Sequence, residues 1–384
     1  DNNPPTAGIT KPVHGAAHTP AFLDVDIGGP LSGTASDAEA ILYPAKDALL
    51  NNGVLLGFSF LETGTSFYYN PAACAPARFC TTTTEDASWL AATSTAAWTA
   101  DFQDSYWVSD RSYRAKVRAR DRARVSTGTV IGNLSSPGVL GRDIVDFIVD
   151  GTPPTSTILS HPDGTFIKNL NLVDISGTAN ADLAGAASYY LRISTQFPGA
   201  PAAFWNGNVW TTNPVALPVE VTGSAGVVSW TYPGNLLGYQ RPTTNEAEGV
   251  LFGISFQVKD QAGQLSAAST NTLTLDSIGP TVTISTPMAD PHRYYGLARA
   301  LSQLRGNSND SPAGVERVEV EIRNIEDSSF WHPGSGVFVV GVSSFAIVSG
   351  TNPWTMPAPT WVYHKTYTLT PRGGDTAGNT AASV

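Results

Sequence analysis

Three copies of one ordered set of landmarks run along this chain. Each copy has an opening Pro-Thr phrase, a central glycine phrase, an alternating apolar strand, an aromatic phrase, a tryptophan, and a strand that ends at an aspartate. The opening proline, central glycine and final aspartate of the copies are Pro5, Gly33 and Asp121; Pro154, Gly177 and Asp260; and Pro280, Gly306 and Asp375. The central glycines are 144 and then 129 residues apart. A repeat of this length predicts a tandem array of three domains, and we interpret each glycine phrase as a turn.

Composition favours β-structure in every copy. Charged residues make up only 14% of the chain, which contains 36 Gly and 27 Pro. Many short strands joined by Gly and Pro turns are typical of β-sandwiches and barrels. We therefore predict an all-β chain of three tandem antiparallel β-sandwich domains at residues 1–150, 151–277 and 278–384. Because prolines stiffen the joints at 150–154 and 276–280, we expect a semi-rigid rod.

The third copy is shorter than the second copy at its end. Sixteen residues lead from Asp260 to Asp276 at the next joint, whereas nine follow the equivalent Asp375. This difference predicts that the last strand of the third domain is missing or short. An open sheet edge is a template for strand pairing. We therefore expect either a following segment of a longer chain or another copy of this chain to complete it.

The chain has two cysteines, Cys74 and Cys80, separated by five residues. This spacing suits a small disulfide loop in an oxidising compartment. The alternatives are two free thiols or a metal site, and a metal site needs at least two more ligands of suitable spacing, which are not nearby. We predict the disulfide.

Sequence motifs for catalysis are absent from the chain. There is no His-Glu-x-x-His, no Gly-x-Ser-x-Gly and no phosphate-binding glycine loop. His14 and His161 occupy equivalent places after the first strand of their copies, where a solvated turn histidine is the simplest explanation. We therefore predict that the chain is not an enzyme and has neither catalytic residues nor a cofactor.

Calcium is the metal that this sequence suggests most. The Asp24–Gly28 stretch begins like a calcium loop but lacks the later acidic ligands. Asp150 and Asp276, one at each joint between domains, could bridge neighbouring domains through an ion. The alternative is that each aspartate accepts backbone hydrogen bonds within a Pro-containing turn. We favour the alternative, and calcium at the joints remains the second interpretation.

One strand concentrates positive charge on this acidic chain, since residues 111–124 hold seven of the 22 basic residues. Strict alternation predicts that Tyr113, Ala115, Val117 and Ala119 face the core. The opposite, outward face then forms a basic stripe of Arg114, Lys116, Arg118 and Arg120. The stripe could bind an acidic neighbour such as another copy of the protein, or a polyanionic surface glycan. It could equally be a solvated face with local counter-ions. Nucleic acid does not suit a chain with net charge −10.

The tryptophans have two interpretations, packing within a sheet or stacking on sugar rings. Trp98, Trp230 and Trp354 recur at equivalent places, which is typical of core residues. The positions of four others separate the interpretations: inward packing favours a structural role, and two or more coplanar on an exposed face favour carbohydrate binding. These four are Trp89, Trp107, Trp205 and Trp210.

The order of the landmarks resembles that of tandem bacterial immunoglobulin-like (Big-type) repeats in large cell-surface and secreted proteins. The matching phrases are Pro-Thr-x-x-Ile, Gly-Thr-Ala-x-Asp, Phe-Trp-x-Gly, the tryptophan and Asp-x-Ala-Gly-Asn. The first copy departs from this pattern, because it has Phe67-Tyr68-Tyr69 and Arg120-Asp121-Arg122 in place of two phrases. The resemblance implies immunoglobulin-like sandwiches that act as spacers, stalks, adhesive surfaces or building blocks, and it supplies no catalytic residues.

Two functions follow as hypotheses. The first is a non-catalytic structural or adhesive segment of an extracellular or cell-surface protein, such as part of a filament or stalk. The second is a carbohydrate-binding accessory region of a larger secreted enzyme. The expected partners are other copies or neighbouring domains of a longer chain. No segment reaches the roughly 18 apolar residues that a membrane-spanning helix needs.

Overall fold

The computed structural model of the protein describes residues 3–37, 53–61, 67–75, 77–81, 84–93, 96–121, 132–168, 175–196, 202–223, 226–233, 248–288, 294–296 and 300–382. The described chain is almost entirely β-structure. It also has a one-turn helix, α1 (Pro20–Leu23), and 3₁₀ turns at Glu85–Ser88 and Asp104–Tyr106. The predicted all-β class is confirmed.

The first domain consists of two facing sheets. Its strands are β1 (Thr6–Lys11), β2 (Ala17–His18), β3 (Leu31–Ser36), β4 (Val54–Phe60), β5 (Tyr68–Tyr69), β6 (Phe79–Cys80), β7 (Leu90–Ala91), β8 (Ala97–Ala100), β9 (Arg111–Ala119) and β10 (Ile144–Val149). One sheet has the order β1-β3-β8, and the other has β2-β10-β9-β4-β5-β6 with β7 also paired to β4.

The second domain repeats this arrangement. Its strands are β11 (Thr155–Ile158), β12 (Thr165–Ile167), β13 (Ser176–Asn180), β14 (Ala186–Gln196), β15 (Ala203–Trp205), β16 (Trp210–Thr211), β17 (Glu220–Thr222), β18 (Val227–Thr231), β19 (Leu251–Asp260) and β20 (Ser269–Leu275). The sheets have the orders β11-β13-β18-β17 and β12-β20-β19-β14-β15-β16.

The third domain has two sheets of similar order, in which the described residues include no counterpart of β2 or β12 and the final strand is shorter. Its strands are β21 (Thr281–Thr286), β22 (Gln303–Asn309), β23 (Val315–Asn324), β24 (Ser329–His332), β25 (Val337–Val340), β26 (Phe345–Ile347), β27 (Trp354–Pro357), β28 (Tyr367–Asp375) and β29 (Thr380–Ala382). The sheets are β21-β22-β27 and β25-β24-β23-β28-β29, with β26 paired to β23. β29 has three residues, whereas its counterpart β20 has seven. Its completion by another segment or copy stays a prediction.

Each pair of sheets encloses its own core. Alternation along the long strands places one face inward: in β19, Phe252, Ile254, Phe256 and Val258 are all fully buried. Most of the buried apolar side chains among the described residues fall into three separate clusters, one for each pair of sheets. β2 and β12 run parallel to the last strands of their domains, whereas the other strand pairs of the sheets are antiparallel. The architecture is therefore three tandem immunoglobulin-like sandwiches, as predicted.

The recurring glycines pack against the recurring tryptophans. Across the smaller sheets the paired residues are Gly33 and Trp98, Gly177 and Trp230, and Gly306 and Trp354. All three tryptophans are fully buried. A Cβ at Gly177 would lie 2.6 Å from the Trp230 ring and 2.0 Å from the carbonyl oxygen of Thr157. The interpretation of the glycine phrases as turns is therefore wrong, because these residues are in strands β3, β13 and β22, where the indole ring excludes a side chain.

Candidate functional site at the domain junctions

Three carboxylates meet where the first domain joins the second. Asp150 follows β10 directly, Asp110 precedes β9 directly, and Asp182 follows β13 in the second domain. One carboxylate oxygen of each lies within 4.8 Å of the others. Asp260, at the end of β19, is close enough to influence both Asp150 and Asp182 electrostatically. We call these four residues the first junction.

Asp150 is held from both sides by backbone hydrogen bonds. Its N–H donates to the carbonyl oxygen of His18 at 2.9 Å, which fixes it to the first domain. Its own carbonyl oxygen accepts from Nε2 of Gln264 at 3.1 Å, which fixes it to the second domain. The linker residue therefore has one backbone group bonded to each domain.

Two of the four carboxylates of the first junction are buried, and both are only partly satisfied. Asp150 is 0% exposed; its Oδ1 accepts from the N–H of Thr152 at 2.9 Å, and its Oδ2 has no hydrogen-bond partner among the described residues. Asp260 is 1% exposed, with Oδ1 accepting from Gln264 N–H at 2.8 Å and Oδ2 likewise unpartnered. Asp110 is exposed and accepts from the Thr152 hydroxyl at 2.9 Å. Buried charge of one sign with free lone pairs is costly unless a partner neutralises it.

The pKa values reflect this crowding. Burial raises the pKa of Asp150 to about 7, and the nearby charges of Asp182 and Asp260 add to the rise against the lowering effect of the Thr152 N–H. Burial also raises the pKa of Asp182, with further contributions from Asp110 and Asp260. Both shifts mean that the negative charge is disfavoured at this place in the fold.

The junction of the second and third domains has a similar group. Asp276, Asp310 and Asp375 each offer a carboxylate oxygen within 4.8 Å of the others. Asp276 and Asp375 are fully buried, and Asp310 is partly buried with an unpartnered Oδ2. With Glu248, which adds negative charge next to Asp276, these residues form the second junction.

Asp276 is held in the same way as Asp150. Its N–H donates to the carbonyl oxygen of Ile167 at 2.9 Å, and its carbonyl oxygen accepts from Nδ2 of Asn379 at 2.8 Å. Unlike Asp150, both of its carboxylate oxygens accept hydrogen bonds, from the N–H of Ile278 at 3.2 Å and of Ala313 at 2.8 Å. The second linker aspartate is thus better satisfied than the first.

Burial is also the main cause of the raised pKa values at the second junction. It raises the pKa of Asp276, with the charges of Asp375 and Glu248 adding to the rise. It raises the pKa of Asp310 as well, with contributions from Asp276 and Asp375. At both junctions the fold therefore concentrates negative charge where water is scarce.

Sequence reasoning found only part of these groups. Asp150 and Asp276 were identified at the joints, and Asp260 and Asp375 as strand-end landmarks. It missed Asp110, Asp182 and Asp310. A signal existed for two of the three, because Asp182 and Asp310 follow the central glycines by five and four residues. Their proximity to the linker depends on how successive domains meet, which the repeat pattern does not contain.

The Asp24 carboxylate accepts hydrogen bonds from backbone groups in and next to its turn. Oδ1 of Asp24 accepts from the N–H groups of Asp26 and Ile27, and Oδ2 accepts from Asp104 N–H at 2.7 Å. The hydrogen bond from Asp104 is the largest of the effects that lower the pKa of Asp24.

Cys74 and Cys80 form the predicted disulfide, with their Cα atoms 5.5 Å apart. The bond closes the loop between β5 and β6, where Tyr68 is paired with Cys80. Arg78 within this loop lies over the ring of Tyr106, 4.0 Å from its centroid. The cysteine prediction is confirmed.

The basic stripe lies on the outer face of β9, and the inward residues Tyr113, Ala115, Val117 and Ala119 are fully buried. Its first two members have local partners. Arg114 binds both carboxylate oxygens of Asp146 at 2.7 and 2.8 Å, and Lys116 binds those of Glu85 at 2.8 and 3.0 Å. These ion pairs favour the alternative of a face with local counter-ions.

The other half of the stripe is partly covered. Arg118 lies over the ring of Trp89 at 4.1 Å and 3.7 Å from Asp86, and its side chain is only 12% exposed. Burial lowers the pKa of Arg118. Arg120 is half-buried at the end of the strand. Binding of another copy or a glycan by the stripe stays a prediction.

Three of the four discriminating tryptophans pack into the domain cores, and Trp89 packs on the outer face of the large sheet of the first domain. Trp107 and Trp205 are buried, and Trp210 packs against the second core with its ring 5.5 Å from that of Trp205. Trp89 is half-buried beneath Arg118. None of the four is an exposed ring, which favours packing over sugar stacking.

No helix in the described part of the chain is long and apolar enough to cross a membrane. No protein-family model matches the sequence, and no curated protein matches it. The Big-type family therefore stays a prediction.

Solved structures with similar arrangements exist. Three domains of titin match with a TM-score of 0.33 and 9% identity, covering 92% of this chain and 89% of that chain. A 1.5-MDa bacterial ice-binding adhesin matches with a TM-score of 0.29 and 15% identity, covering 100% of this chain and 96% of that chain. Fibronectin(III)-like modules of Clostridium thermocellum CbhA match with a TM-score of 0.23 and 12% identity, covering 76% of this chain and 100% of that chain. Since each TM-score is below 0.5, the fold assignment rests on the sheets and cores of this chain.

Proposed function

We propose that this chain is a non-catalytic structural segment of an extracellular or cell-surface protein, in which three sandwiches act as a spacer or as building blocks of a filament, stalk or other surface assembly. The observation that carries the proposal is the fixed connection at both junctions. The N–H of each linker aspartate donates a hydrogen bond to the domain before it. Its carbonyl oxygen accepts a hydrogen bond from a side chain of the domain after it. Such joints suit a segment that keeps its successive domains at a fixed spacing and orientation.

Other features support an extracellular structural role. The disulfide of Cys74 and Cys80 suits an oxidising compartment. The ion pairs of Arg114 and Lys116 and the packing of Arg118 over the ring of Trp89 stabilise the large sheet of the first domain from outside. The tryptophans are used for packing, which weakens the carbohydrate-binding alternative.

The extended shape can be tested by small-angle X-ray scattering of residues 1–384 in solution. Strands of nine to eleven residues make each domain about 30–35 Å long, so a rod of three measures about 100 Å and has a radius of gyration near 30 Å. A compact globule of this length would have about 21 Å. A value near the compact figure would contradict the proposal.

Location and binding need separate tests. Protease treatment of intact cells that produce the protein is expected to release peptides of this chain before the cells lyse. Affinity electrophoresis in gels that contain neutral or acidic polysaccharides is expected to leave its mobility unchanged. Retardation by one polysaccharide would instead support the carbohydrate-binding alternative.

A further inference from the structure

We propose that each junction binds one calcium ion, which fastens the first domain to the second at the first junction and the linker to the third domain at the second junction. The ligands are the carboxylates of Asp110, Asp150 and Asp182 at the first junction and of Asp276, Asp310 and Asp375 at the second. This inference stands apart from the proposed function, because a rod could exist without ions and ions could bind in a protein of another function.

The spacing of the oxygens fits a calcium ion. Calcium binds oxygen at about 2.3–2.6 Å, so two of its ligands on opposite sides of the ion are about 4.6–5.2 Å apart. The three carboxylate oxygens at each junction lie within 4.8 Å of one another. One ion can therefore contact all three with little movement of the side chains.

A second observation at the first junction points to a missing positive charge. Asp150 and Asp260 are almost completely buried, and each has one carboxylate oxygen without a hydrogen-bond partner among the described residues. The ion pairs found within the described ranges involve neither of them, nor Asp110 or Asp182. Protein interiors rarely leave buried carboxylate oxygens unmatched. A divalent cation would satisfy the free oxygen of Asp150 and offset the repulsion among the four carboxylates.

The second junction repeats the arrangement at the equivalent place. Asp150 and Asp276 each precede the first residue of the next domain's first strand, Thr155 of β11 and Thr281 of β21, by five residues. Asp310 has an unpartnered Oδ2 there, beside the fully buried Asp276. Two chance clusters of aspartates would have no reason to occur at the same step of a repeat.

The donor set selects the kind of ion. All six side chains offer oxygen, and neither cluster includes histidine or cysteine, so zinc and other metals that prefer nitrogen or sulfur are disfavoured. Magnesium requires near-octahedral oxygens at about 2.1 Å and keeps several waters. Calcium accepts irregular sets of six to eight oxygens, and the backbone carbonyl groups of the linkers and water can complete such a set.

The ion has a mechanical consequence at the first junction. Asp110 belongs to the first domain, Asp182 to the second, and Asp150 to the linker between them. All three can hold one ion only when the two domains are docked. Binding therefore stabilises the docked arrangement by linkage and stiffens the joint.

The test is a calcium titration of residues 1–384 by isothermal calorimetry after removal of ions with EDTA and dialysis. We expect two sites with dissociation constants below about 1 mM, the upper range for extracellular modules. Tenfold excess over the dissociation constant is expected to raise the melting temperature by about 5 °C. Magnesium chloride is the comparison, and it is expected to bind at least tenfold more weakly. Equal affinity for both ions would overturn the choice of calcium.

Asparagine variants assign the sites. Asp150→Asn and Asp276→Asn keep the side-chain volume and are each expected to reduce the stoichiometry from two to one. Asp86→Asn is the matched control, because Asp86 is 93% exposed in the first domain and outside both junctions. It should retain two sites. Absence of calcium binding to the wild-type protein up to 10 mM, or unchanged stoichiometry in both junction variants, overturns the proposal.

A terbium measurement on the wild-type protein tests the sites without any variant, so its outcome does not depend on whether the variants fold. Terbium occupies calcium sites and is sensitised by nearby aromatic rings, so wild-type protein is expected to give a luminescence signal that calcium abolishes and magnesium does not. Persistence of the whole signal in excess calcium would count against the sites. A rod-like scattering profile in EDTA together with no ion binding would refute this inference and leave the proposed function standing.

Discussion

The two linker aspartates, Asp150 and Asp276, occupy the same place in the repeat and are satisfied in different ways. Asp150 has one carboxylate oxygen bonded to a backbone N–H and one without a partner in the described structure. Asp276 has a backbone N–H on each oxygen, and one of these comes from Ala313 in the third domain. The carboxylate of the second linker aspartate is therefore satisfied by protein groups, whereas that of the first leaves one oxygen free for the cation that we propose.

The two junctions also differ in which acidic residue the preceding domain supplies. Asp110 brings a charge from the preceding domain into the first junction, and its counterpart is Gly249, since each lies eleven residues before the strand-end aspartate. Both residues have positive φ, 59° and 75°. At the second junction the preceding domain instead supplies Glu248, which accepts hydrogen bonds from the N–H and the hydroxyl of Ser277. An ion at the second junction would thus bind mainly the linker and the third domain.

The largest expected difference is in alanine variants without calcium. Asp276→Ala leaves two backbone N–H groups without their acceptor and is expected to lower the free energy of unfolding of the third domain by about 3 kcal/mol. Asp150→Ala removes one acceptor and relieves repulsion, so we expect a loss of about 1 kcal/mol or less. Urea unfolding in EDTA measures both values. Equal losses would contradict the comparison.

Proteolysis distinguishes the two joints within one molecule. In EDTA the segment at 150–154 is expected to be cut faster than the segment at 276–280, because docking at the first junction lacks its ion. Calcium should slow cutting at the first segment about tenfold and at the second less than threefold, in line with population of the open form. Mass spectrometry of fragments over time gives both rates, and identical protection at the two sites would remove the distinction.

Exchanging the residues that differ should exchange the affinities. Gly249→Asp adds a carboxylate at the place of Asp110; a Cβ there has open space, and Asp110 already tolerates this backbone conformation. We expect about tenfold tighter calcium binding at the second junction, and the reverse change Asp110→Gly should weaken the first junction by a similar factor. Calorimetry on both variants measures the change in the calcium dissociation constant. Gly249→Asn, which adds no charge, is the control.

The smallest expected effect concerns the two carboxamides. Gln264 donates to the carbonyl oxygen of Asp150, whereas Asn379 donates to that of Asp276 and also to Asp375 Oδ2 at 2.9 Å. We expect Asn379→Ala to cost about 1.5 kcal/mol and Gln264→Ala about 0.5 kcal/mol. Thermal unfolding of both variants checks the order, and a larger loss for Gln264→Ala would reverse it.

The sequence predicted the architecture well because the repeat records which residues each core needs. The alternation of β9, the disulfide and the buried tryptophans were all readable from spacing. The prediction of a turn at the glycine phrase was wrong, because glycine is common in turns. The glycine is needed because an indole ring on the paired strand leaves no room for a side chain. That contact joins Gly177 to Trp230, which are 53 residues apart in the sequence. The junctions were only half readable, because Asp110 and Asp182 meet across two domains that the repeat describes separately.

The carboxamides that bind the linkers have a consequence for how such a chain can change. Gln264 and Asn379 each bind a backbone carbonyl oxygen, a group that every residue possesses, at 3.1 and 2.8 Å, whereas their contacts with the linker carboxylates are longer, at 3.5 Å. A domain that carries this carboxamide can therefore attach to whatever domain comes before it. Arrays of this kind can gain, lose or exchange units by duplication and recombination without redesigning each joint, and the acidic residues then adjust how stiff each joint is.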